Sequence, residues 1–91
     1  MSSNDMPVIF YKVLSYLYEQ IKEGTWVNYK DLQEKSGVAY IPVSYFRMII
    51  HELLHKDFAQ ESLSPKTGNS LTITWDGYCF LENHANLKEY I

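Results

Sequence analysis

The chain has 91 residues, is 46% hydrophobic and 15% aromatic, and carries a formal charge of -3. That composition excludes a disordered chain, and the length suits one small domain, so residues 1–91 are read as a single unit. The acidic balance argues against a generic electrostatic hold on nucleic acid but leaves room for a local basic patch.

Cys79 is the only cysteine, so no intramolecular disulfide is possible, which fits a reducing cytoplasm. Asp5 and Pro7 precede the first apolar pattern without a basic region, so a secretory leader is not expected. No apolar run approaches the roughly 20 residues that a membrane span needs. The expected location is the cytoplasm, with no membrane partner and no cofactor.

Met1 to Asn4 is polar and reads as a loose tail. Asp5 is a plausible helix cap, and Pro7 is tolerated in the first turn. The first helix is expected to run to about Glu23, with Ile9, Phe10, Val13, Leu14, Leu17 and Ile21 as its apolar stripe. Gly24 ends it. Tyr11, Ser15 and Tyr18 fall on a different side, where they either form a self-association surface or flank the core.

Thr25 to Val27 reads as a short strand. Asn28 caps a second helix, Tyr29 to Ser36, which Gly37 ends. Its inner side is expected to hold Leu32 and Tyr29. The third helix lies within Ile41 to Phe58 and is expected over about 14 residues, with Pro42 in its first turn. Phe46, Ile49, Ile50, Leu53 and Leu54 recur at helical spacing, while Ser44, Arg47, Met48, His51 and His55 face the other way.

Phe58 to Leu63 can form a strand, and Ser64 to Ser70 is dense in turn formers. Leu71 to Thr74 alternates apolar and polar residues and reads as the returning strand of a hairpin. Thr74 or Asp76 caps a fourth helix carrying Tyr78, Phe80 and Leu81. Leu87, Tyr90 and Ile91 are spaced to pack a C-terminal segment on the first helix. The fold class is therefore α+β, mainly α. The element order is that of a winged helix-turn-helix: a three-helix core, a β-hairpin wing and a short C-terminal helix.

The stretch Leu71 to Glu82, LTITWDGYCFLE, resembles the end of many small bacterial and phage winged-helix proteins. In those, a strand runs into L-T-x-x-G-x-x-F/Y-L-E as the last helix begins. Ile73-Thr74, Gly77, Phe80, Leu81 and Glu82 carry the likeness. Trp75-Asp76-Gly77 also resembles the T-W-x-G-x-x-F-L ending of an uncharacterised phage-associated family. Taken with the first stripe and the wing, the chain resembles the YjcQ-like group of small winged-helix proteins. That likeness implies a fold; function has to be argued from the site.

On the DNA reading, the third helix (residues 41–56) enters a major groove of double-stranded DNA and the 64–70 loop is the wing. Arg47 would contact guanine in bidentate fashion, Ser44 phosphate or base, and His51 phosphate. Tyr40 and Tyr45 would reach backbone oxygens, Lys66 and Asn69 the minor groove or a neighbouring phosphate, and Lys30 and Lys35 further phosphates. Met48 lies on the same face. Over 41–70, Arg47, Lys56 and Lys66 are balanced by Glu52, Asp57 and Glu61, a net charge of zero. So few cations make a weak monomer, and a homodimer across two half-sites is expected. The other reading is a protein-interaction module on the same scaffold, using Tyr40, Tyr45 and Met48.

His51-Glu52-Leu53-Leu54-His55 matches H-E-x-x-H, the helical zinc motif in which the glutamate is a general base. Lys56 and Asp57 follow where metalloproteases usually place an uncharged and then an apolar residue. No third ligand is evident, with Glu61, Glu82 and His84 matching by type alone. Plain surface histidines are the preferred reading. Cys79 is read as a buried structural thiol, Trp26 and Trp75 as core or near-core residues, and the four glycines as caps and turns. No enzymatic activity is expected.

Overall fold

Helix α1 (Met6–Lys22) forms where the apolar stripe predicts it. In the computed structural model, which describes residues 1–91, it buries Val8, Ile9, Phe10, Tyr11, Val13, Leu14 and Leu17. Each such aliphatic or aromatic side chain contributes about 1.5–3 kcal/mol when taken from water, which makes α1 the spine of the core. A two-residue strand β1 (Val27–Asn28) and helix α2 (Tyr29–Lys35) follow. Next come α3 (Val43–His55), strands β2 (Ala59–Ser62) and β3 (Ser70–Ile73), α4 (Trp75–Asn83) and a terminal 3-10 turn, Ala85–Tyr90.

The strands form one antiparallel sheet in the order β1-β3-β2. Leu71 of β3 faces Val27 on one side and Glu61 on the other, so β3 is the central strand. Leu71, Thr72 and Ile73 are all buried, where alternation alone predicts one covered face. One hydrophobic cluster draws on every helix and strand and on the terminal turn. The molecule is thus a compact, mainly helical α+β domain around a small three-stranded sheet.

Three helices end in the same way. After α1, the Gly24 N–H bonds the Ile21 carbonyl and the Thr25 N–H that of Gln20. After α2, Gly37 and Val38 do the same to Glu34 and Gln33. After α3, Asp57 bonds Leu54 and Phe58 bonds Leu53. This is the Schellman arrangement, which needs a left-handed residue, and φ is 77° at Gly24, 82° at Gly37 and 59° at Asp57.

The structure corrects several expectations. Tyr11 is buried, because α1 is covered by β3 and α4 as well as by α3, so its apolar face is wider than one stripe. Ile21, near the helix end, is only half-buried. Asp5 caps α1 by position, but its carboxylate accepts from the Ser2 N–H instead of a helical N–H. Trp26 is 39% exposed and Trp75 74%, so neither is a core residue. Trp75 opens α4, ahead of Gly77 and Leu81, the buried residues of that helix. Cys79 is half-buried. Gly77 is neither cap nor turn. A Cβ placed on it would lie 2.1 Å from the Phe58 carbonyl oxygen, so α4 seats on the start of β2 only because that atom is missing.

The first residues are tied down by tyrosines. The Tyr40 hydroxyl donates to the Ser3 carbonyl (2.6 Å), that of Tyr45 to Asn4 (2.7 Å) and that of Tyr90 to Met1. The expectation of a loose tail takes no account of these bonds, which reach across up to 89 positions of sequence.

Candidate nucleic-acid interface

Helix α3 is held from behind by Phe46, Ile49, Ile50 and Leu53, all buried. That leaves Ser44, Arg47, Met48, His51 and His55 exposed along its outer side, as the spacing predicts. Arg47 takes part in no salt bridge; the one ion pair of the chain joins Lys22 to Glu19 at 3.0 Å. A guanidinium that is exposed and unpaired keeps its fork of donors for an outside acceptor.

The hairpin loop is set against the start of α2 by Asn28. Its side-chain oxygen accepts from the Lys30 N–H (3.1 Å), capping α2, while its amide donates to the Thr67 carbonyl (2.7 Å). The Tyr29 N–H adds a bond to the Asn69 carbonyl (3.1 Å). Gly68, at φ 84°, lets the loop turn close against the Asn28 side chain. Lys66 is exposed in the same loop.

Between α3 and the hairpin runs a groove of about 340 Å³ with Arg47 and His51 on one wall and Glu61 and Asn69 on the other. Phe46, Ile50 and Leu54 contribute its apolar part, and Tyr29 also lines it. The Tyr29 hydroxyl donates to Glu61 Oε2 at 2.6 Å. Burial first, and the Glu61 carboxylate second, push the Tyr29 phenol well above its ordinary value. Glu61 places an acid in the groove, so an anion fits the outward side of Arg47 and His51 better than the groove itself.

The structure therefore brings Ser44, Arg47, Met48 and His51 onto one face, with Asn69 across the groove. Lys30 is exposed on α2, whereas Lys35 opens onto a separate cavity of about 370 Å³ beside Lys12, Tyr16 and Tyr90. Tyr40 and Tyr45 flank the start of α3 with their hydroxyl protons already donated to the N-terminal residues. Lys12 also holds Tyr40, with Nζ 3.2 Å from its oxygen and 4.8 Å from its ring centre. Phosphate oxygens can take those two phenol protons only by displacing residues 3 and 4. Sequence reasoning missed the roles of Asn28, Tyr29 and Glu61; the one local signal was Asn28 as a cap.

His51 and His55 are exposed on successive turns of α3. No group of three His, Cys, Asp or Glu side chains converges on one point. His84 lies elsewhere, stacked on Phe80 at 4.1 Å with Nδ1 2.8 Å from the Phe80 carbonyl oxygen. No helix is long and apolar enough to cross a membrane. No protein-family model, curated protein or solved structure matches the chain.

Proposed function

We propose that this is a small winged-helix DNA-binding protein, a cytoplasmic transcriptional regulator of the bacterial and phage kind whose last strand and helix it resembles. Helix α3 is the reading element and the 64–70 loop is the wing. The observation that carries the reading is Arg47, exposed and unpaired on the outer side of α3 with Ser44 and His51 beside it. The topology supports it, since a helix pair is followed directly by a hairpin whose returning strand lies between β1 and β2. Arg47 suits guanine, and Lys66 suits a phosphate at the wing.

The test is a fluorescence-anisotropy titration with mixed-sequence duplex DNA at low and moderate salt. Affinity that falls steeply with salt is the expected result. Arg47→Ala combined with Lys66→Ala should weaken it by roughly tenfold or more, since a bidentate arginine contact is worth about 1–3 kcal/mol. Absence of binding at low salt overturns the reading.

A protein partner at the same face is the second reading. It is favoured by Val43 and Met48, which are 56% and 47% exposed on the helix that would enter the groove. Met48→Ala would then disturb function more than the double charge removal.

A further inference from the structure

Trp75, at 74% exposure, is the most exposed aromatic side chain of the molecule. Its ring centre lies 5.4 Å from that of Tyr78, which lies 5.1 Å from Tyr18 on α1. Lys22 Nζ sits 4.7 Å from the centre of the Tyr18 ring and prolongs the row. The row borders a groove of about 420 Å³ between α1 and α4, lined in part by Tyr11, Leu81, Glu82 and Lys88. None of its lining residues comes from α2, α3 or the hairpin, so anything seated there leaves α3 free.

Single exposed aromatics are ordinary, but a continuous row beside a part-apolar groove has the make-up of an interface core. The occupant follows from charge. Glu82 and Lys88 both line the groove and neither is in a salt bridge, while Glu19 at its rim is already matched by Lys22. A polyanion or a basic peptide would call for one sign of charge. A surface with both signs in equal number fits a copy of itself, because in a two-fold contact every complementary pair is made twice. The few cations around α3 point the same way, since two reading helices neutralise twice as many phosphates as one.

We propose that this α1–α4 face, from Trp75 through Tyr78 and Tyr18 to Glu82 and Lys88, joins two copies of this chain, with Lys88 of each copy against Glu82 of the other. The need for two reading helices rests on the DNA reading; the aromatic row and the charge pattern do not.

The test uses the full chain without DNA, by sedimentation equilibrium over a wide concentration range. A monomer–dimer equilibrium is expected. Glu82→Lys and Lys88→Glu should each weaken it by roughly threefold to tenfold, the range of exposed charge pairs counted twice, and the double exchange should restore it. In a Trp26→Phe background, Trp75 emission should move to the blue as the dimer forms. A monomer at every concentration overturns the proposal, as does a dimer in which Trp75 emission stays unchanged or the double exchange fails to restore association. A dimer that ignores DNA sinks only the DNA reading, and a monomer that binds DNA with steep salt dependence sinks only this interface.

Discussion

Where β3 passes into α4, the polar groups of Thr74 are all engaged, whereas along the outer side of α3 the Arg47 guanidinium has no partner in the chain. Thr74 makes four hydrogen bonds at the first place. Its N–H donates to the Phe58 carbonyl (3.1 Å), its hydroxyl donates to the Asp57 carbonyl, the same oxygen accepts from the Gly77 N–H (3.2 Å), and its carbonyl accepts from the Tyr78 N–H (3.0 Å). Phe58, Phe80 and Phe10 close over the junction with ring centres 5.3–6.4 Å apart. At the second place Arg47 has no charged partner in the chain and Met48 is half in water. The difference separates residues held by the fold from residues the fold leaves free at the surface.

The largest expected effect lies at the junction. Gly77→Ala sets a methyl against the Phe58 carbonyl and the Ile73 side chain, 2.1 and 2.8 Å from the new carbon. It should cost about 3 kcal/mol, the upper range for overpacking, read as a lower urea midpoint. A loss under about 1 kcal/mol would mean that α4 can slide off β2 freely, and the contrast with α3 would fail.

Thr74→Val keeps the shape and removes the hydroxyl. The α4 cap and the bond to Asp57 go together, for an expected loss of about 1–2 kcal/mol. Thr74→Ser should retain most of that stability. Equal losses for the two variants would show that the methyl group, not the hydroxyl, matters.

Tyr29 lines the groove beside α3, and its effect shows in pH. Burial, and then Glu61, raise its phenol above the ordinary 10.0. The unfolded chain gives up this proton near that value and the folded chain holds it longer, so unfolding releases a proton in between. The stabilisation is whole below about pH 10 and is lost as pH climbs toward the folded value. Tyr29→Phe should therefore lose stability less steeply than the wild type above pH 10 in alkaline denaturation. Parallel curves would contradict the Tyr29–Glu61 bond.

The smallest effect on stability belongs to the free face. Arg47→Ala with Lys66→Ala should leave the urea midpoint within about 0.5 kcal/mol of wild type, as befits exposed side chains with no partner. A larger loss would show that these cations hold the fold and would take them out of the candidate interface.

Much of this was legible in the chain, and the failures share a cause. The helical faces of α1 and α3 follow from spacing, and the Ser64–Ser70 turn from its residues. The ends of α1 and α2 could be read from Gly24 and Gly37. The end of α3 could not be placed that way, because Asp57 takes the same left-handed conformation without being glycine. Gly77 could be read only through a resemblance, since the atom it makes room for belongs to Phe58 across the chain. In the candidate site, Arg47, Ser44 and His51 were legible as the outward side of a helix. Glu61 and Tyr29 were not, because their hydrogen bond joins residues 32 positions apart and depends on the sheet order β1-β3-β2.

By itself the sequence determined which stretches are helix, strand and turn, and which side of each helix is apolar. Those features depend on repeats of 3.6 and 2 residues and on caps a few positions away, which the chain carries locally. Only the tertiary structure decided that β1 joins the sheet beside β3, that tyrosines 40, 45 and 90 hold the first residues, and that Trp75 stands in water. Each of these is set by groups distant in sequence that approach only once the core has closed, and no local pattern encodes that approach.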